Sequence, residues 1–146
     1  MGKITALLLA VLGGISTSMQ PPVNSALSRF IGSLESAFVS FMVGALSLLV
    51  LVLLFGKGDL SKLNQAPLYL LSGGLLGVVM VTVSILAVGK IGATGLMAAV
   101  FIGQIIGAII IDSLGLFGMP KQGLNWQRLV GLIILFIGTK LVLTKK

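Results

Sequence analysis

The chain has 146 residues, 57% of them hydrophobic and only 9% charged, and a mean hydropathy of +1.19. A soluble core cannot bury that much apolar surface, so the composition marks an integral membrane protein. The net charge is +7, with no Cys, no His and three carboxylates, Glu35, Asp59 and Asp112. The bases stand singly at the ends of apolar runs, as membrane anchors do, and no basic stripe with interleaved aromatics suggests nucleic acid. Thiolate chemistry, a metal centre and nucleophilic catalysis all lack their residues, and no cofactor is implied.

A span needs about 20 apolar residues, and five such runs are expected, at 4–27, 36–55, 67–88, 93–111 and 127–143, in one transmembrane domain over 1–146. The first begins after Met1-Gly2-Lys3. That start lacks the hydroxyl residue a myristoylation site needs at position 6, where Ala6 stands. The run could also be read as a secretory signal, but the apolar pattern continues past any cleavage point, and the segment is taken as a helix that stays.

In the far half of this first run lies Gln20-Pro21-Pro22-Val23-Asn24. A proline removes a backbone donor and crowds the carbonyl four residues back, so Pro21 and Pro22 free the carbonyls of Thr17 and Ser18. A freed carbonyl is tolerated in a bilayer where it faces protein or a water-filled cavity. Transporters build their sites at broken helices of this kind. Pro21 and Pro22 are therefore expected to break the helix. Gly13, Thr17, Gln20 and Asn24 share one face by their 4-3-4 spacing, and that face is expected to look into a pathway; the alternative is a kink that improves packing.

The second run, 36–55, carries no charge and repeats Ser36, Ser40 and Gly44 every four residues. Pro67 is placed to open the third helix, where proline suits the first turn. Gly89-Lys90-Ile91-Gly92 gives a tight turn into the fourth, which ends at Asp112. A Gly-rich loop, 114–127, then leads to the fifth helix, with Trp126 as an interfacial aromatic. Gly73 and Gly77, Gly103 and Gly107, and Gly131 and Gly138 continue the small-residue stripes; with twenty glycines in the chain, close helix packing is their first expected use.

Gln104, in mid-helix four, brings an amide that wants several partners, either a ligand or a neighbouring helix. Ser40 joins Gln20, Asn24 and Gln104 as a candidate substrate contact, and Asp112 is a candidate polar gate at headgroup depth. No Asp, Glu or His lies deep in any span. A carboxylate-centred proton exchange is therefore not expected, and a neutral, zwitterionic or amphipathic substrate fits better than an isolated cation.

With five spans the termini face opposite sides. Lys3, Lys57, Lys62, Lys121 and Arg128 then fall on one side, and Arg29, Lys90, Lys140, Lys145 and Lys146 on the other. Basic excess sets orientation, and here there is none. Insertion both ways up, followed by antiparallel homodimerisation, is the expectation.

Pro22-Val23-Asn24-Ser25-Ala26-Leu27 and Ala37-Phe38-Val39-Ser40-Phe41-Met42-Val43-Gly44 resemble the start of the short YdcZ-like branch of the drug/metabolite transporter superfamily. Gly73-Gly74-Leu75-Leu76-Gly77, Gly103-Gln104, Asp112-Ser113-Leu114-Gly115 and Gln127-Arg128-Leu129-Val130-Gly131 agree with it in order and spacing. The resemblance implies an all-α integral membrane protein with five transmembrane helices per chain. Two chains would form a ten-helix inverted-repeat bundle in a bacterial-type inner membrane, exporting or exchanging small organic molecules. The expected partners are a second copy, membrane lipids and that substrate. The small multidrug resistance relatives keep a carboxylate in their first helix; here Gln20 and Asn24 occupy it. A non-transporting membrane module is the rival reading, and an intramembrane enzyme is disfavoured by the missing nucleophile–base pair.

Overall fold

The computed structural model describes residues 2–123 and 125–144; Met1, Lys145 and Lys146, which entered the expectations above, lie outside that set. The described chain is helical nearly throughout. Helix α1 is Lys3–Ile31, α2 is Ser33–Phe55, α3 is Gly73–Leu114 and α4 is Trp126–Leu143. Short 3-10 turns at Leu60–Gln65, Leu68–Ser72 and Leu116–Gly118 fill the connections. Among the described residues, four stretches are long and apolar enough to cross a membrane, the third of them spanning Leu68–Leu114.

Several boundaries differ from those read in the sequence. The first connection, left between the expected runs 4–27 and 36–55, contracts to Gly32, whose φ of 96° and ψ of 159° only glycine adopts without strain. Pro67 precedes a 3-10 turn, and the α-helix begins later, at Gly73. The tight turn expected over 89–92 narrows to Gly92, where φ is 73° and ψ 167° and two helical segments of α3 meet. Helix α3 also runs past Asp112 to Leu114.

The apolar side chains point outward. Phe30 and Leu68 are 85% and 83% exposed, while the buried apolar residues among those described are Ala37, Val81, Ile85, Val88 and Leu96. In water such a surface would aggregate; in a bilayer it is what lipid contact requires.

The chain divides into two compact units, Met1–Lys90 and Ile91–Lys146. In the first, α2 touches both α1 and the opening segment of α3. Ala37, Val81 and Ile85 form its apolar cluster, and a Cβ on Gly77 would stand 3.1 Å from the Phe41 ring. In the second unit the last segment of α3 lies along α4, held at one end by Asp112 and Arg128 and at the other by Gly95 against Leu143.

Candidate functional site

The α1–α2 seam follows from the small-residue stripe. As α1 steps back by one turn from Asn24 to Gln20, α2 steps forward by one from Ser36 to Ser40, so the polar residues of one helix meet the small ones of the other. Ser36 is fully buried and donates its hydroxyl to the Asn24 carbonyl at 2.7 Å. In hydrocarbon this bond satisfies a hydroxyl that would otherwise be orphaned. Asn24 is 5% exposed, and its Nδ2 has no partner among the described residues. A buried, unpaired amide donor is costly, on the order of 1–3 kcal/mol, which makes this the most notable polar atom of the first unit. The Thr82 hydroxyl of α3 is buried and unpartnered in the same way.

One turn along, Gln20 and Ser40 line a cleft of about 280 Å³ with Phe41, Gly44, Ala45 and Leu48. Gln20 is exposed and Ser40 half-buried. Two of the residues singled out in the sequence thus share a cavity, and a third lies one turn away on the same helix.

Helix α1 is continuous from Lys3 to Ile31 through Pro21 and Pro22, so the pair does not interrupt it as expected. Proline's fixed φ is compatible with a helix, and what the pair removes is two backbone donors. The hydroxyls just upstream do not compensate: Ser16, Thr17 and Ser18 bond Leu12, Gly13 and Ile15 carbonyls on the preceding turn. Pro21 itself is buried and Pro22 exposed.

Gln104 lies in the second unit, exposed on α3. Asp112 pairs with Arg128 at 3.5 Å, both side chains a little over one-third exposed. Arg128 also donates to Gln122 Oε1, while the Gln122 amide donates to the Asp112 carbonyl at 2.9 Å. Asn125 caps α4 by accepting from the Arg128 amide at 2.8 Å. Asp112 thereby ties together the two ends of the loop between α3 and α4. Gln122 and Asn125 were not singled out in the sequence, although a carboxylate and a guanidinium flanking one loop are a usable signal for such a clasp.

Outward apolar helices of spanning length define an all-helical, multi-pass membrane protein. A family model described as "Putative inner membrane exporter, YdcZ" matches residues 5–141. The chain belongs to that family, and its place is the inner membrane. No curated protein and no solved structure matches it.

Proposed function

We propose that the chain is one half of a small-molecule exporter, completed by a second, oppositely oriented copy and working by alternating access. The single observation that carries the site is the α1–α2 seam, where Gln20 and Ser40 share a cleft one turn from the unpaired Asn24 amide. A substrate with carbonyl or carboxylate oxygens would give that donor the acceptor it lacks. The substrate is neutral, zwitterionic or amphipathic, because Glu35 and Asp112 stand near helix ends and no carboxylate lies deep in a span to meet an isolated cation.

Five crossings per chain fit better than four. Helix α3 has 42 residues, about 63 Å of helix, twice the roughly 30 Å of bilayer hydrocarbon. Midway, Gly92 adopts nearly the dihedrals of Gly32, the residue at which α1 gives way to α2. With five crossings the basic residues divide evenly between the two sides, which supports insertion in two orientations.

The test is transport in proteoliposomes across a panel of neutral and zwitterionic metabolites and amphiphilic drugs. A saturable flux is expected in the parent. It should fall about fivefold or more in Gln20→Ala and Asn24→Ala, the factor that loss of one hydrogen bond of about 1 kcal/mol implies. Flux in both variants equal to the parent's would remove the seam from the pathway. No saturable flux of any compound would favour a non-transporting module.

A further inference from the structure

In the second unit, α3 carries a polar side chain on the face turned away from α4. After Gly92 the helix runs over residues 93–114, about 33 Å at the helical rise and close to the roughly 30 Å of bilayer hydrocarbon. Gln104 stands eleven residues from the start of that segment and ten from its end, which puts it at the bilayer centre. Thr94, Asp112 and Ser113, the other polar residues of the segment, lie near its ends.

The side of α3 that meets α4 is marked by Ile102, Ile105, Ile109 and Asp112, which line clefts with Leu132 and Leu135. At about 100° per residue, Val100, Gly103, Gln104 and Gly107 fall on the opposite side. Gly103 and Gln104 are exposed there, and the Gln104 amide makes no hydrogen bond among the described residues. Lipid tails offer an amide neither donor nor acceptor, so a bare amide at this depth is costly.

The chemistry of the missing partner follows from the face. It brings both a donor and an acceptor to the bilayer centre, which an acyl chain cannot do. It also comes close to the α3 backbone: a Cβ on Gly103 or Gly107 would meet nothing within 4 Å, and glycines four apart let a second helix approach. A second copy of the chain meets both demands. Oppositely inserted copies are related by a two-fold axis in the membrane plane. On that axis a residue of a spanning helix meets its own counterpart only at the bilayer centre, where Gln104 stands. A carboxamide is self-complementary, since each amide N–H donates to the Oε1 of the other.

We infer that α3 packs antiparallel on α3 of a second copy through Gly103 and Gly107, with the two Gln104 amides paired across the axis. The inference rests on the opposed orientation of the copies proposed above, and adds to it the face through which they meet.

The experiment is disulfide capture in membranes, using the full chain, which has no cysteine of its own. In an antiparallel pair centred on Gln104, position 100 of one copy faces position 108 of the other. In a parallel pair each position faces itself. Val100→Cys and Ala108→Cys are co-expressed with different tags and oxidised with iodine. A dimer carrying both tags is expected, and no dimer from either variant alone. Gly107→Leu should abolish the mixed dimer while leaving the unfolding midpoint of the single chain unchanged, because its side chain enters space that the chain leaves empty. Gln104→Ala should weaken association about fivefold, as loss of a pair of interhelical hydrogen bonds implies, read as energy transfer between tagged copies in vesicles. Dimers of each variant with itself would mean parallel copies, and would overturn both the inference and the reading beneath it. No dimer in any combination, while Gly58→Cys labels from both sides of the membrane, would overturn the inference alone and leave antiparallel copies that meet through another face. Unchanged association in Gln104→Ala would overturn the amide pairing.

Discussion

The two interhelical seams solve the problem of packing in lipid in opposite ways. Along α1–α2, a stripe of Ser36, Ser40 and Gly44 admits polar side chains from the opposing helix, and a buried hydroxyl reaches across to the Asn24 carbonyl. Along α3–α4, Gly131 borders an open apolar cleft instead, and the ends are held by Asp112 with Arg128 and by Gly95 against Leu143. The same small-residue pattern therefore yields a seam closed at Ser36 and Asn24, with a cleft one turn along, in one unit and an apolar cleft beside an ion pair in the other. What decides is the partner helix: α1 offers polar groups that need the stripe's hydroxyls, whereas the facing parts of α3 and α4 offer branched aliphatics that cannot fill a glycine's gap.

The largest expected effect lies in the closed seam. Ser36 has no exposed surface, so Ser36→Leu should overpack it and cost about 3 kcal/mol, read as a lower unfolding midpoint in detergent. A near-normal midpoint would mean that α1 and α2 are not in contact in the membrane. Next come the glycines at the helix junctions. Gly32→Ala and Gly92→Ala should each cost about 2 kcal/mol from backbone strain: one Cβ meets only the Glu35 carboxylate, the far end of a side chain that can swing away, and the other meets open space. A much larger loss at Gly32 would show that Glu35 is held in place. Ser36→Ala removes only the bond to Asn24 and should cost about 0.6 kcal/mol. Smallest is Gly131→Ala beside the apolar cleft of α3–α4, where a Cβ meets nothing within 4 Å; the midpoint should stay unchanged within error, and a loss comparable to that of Ser36→Leu would mean that this cleft is closed in the bilayer.

Much of this was legible in the sequence, for a physical reason. Hydrocarbon forces backbone bonds into helices, so apolar runs located the helices to within a few residues. The errors sit where one glycine does the work of a loop: Gly32 and Gly92 turn the chain with dihedrals that no polar cluster announces. Pro67 misled because its ring suits a 3-10 turn as well as a first helical turn. Pro21 and Pro22 could be read as lost donors, but whether the helix survives depends on what packs beside it. The pairing of Gln20 with Ser40 was implicit in two polar stripes of matching spacing. The clasp of Gln122 on Arg128 was not, since it depends on how an irregular loop folds back.

The central claim is that oppositely inserted copies form the working unit, and cysteine labelling tests it most directly, because the native chain has no Cys. Gly58→Cys in the exposed loop after α2, which leaves every basic residue in place, would be probed in whole cells with a membrane-impermeant maleimide, before and after permeabilisation. The account predicts that about half of the chains label from each side, as an even basic count implies. Complete labelling from one side only would contradict it.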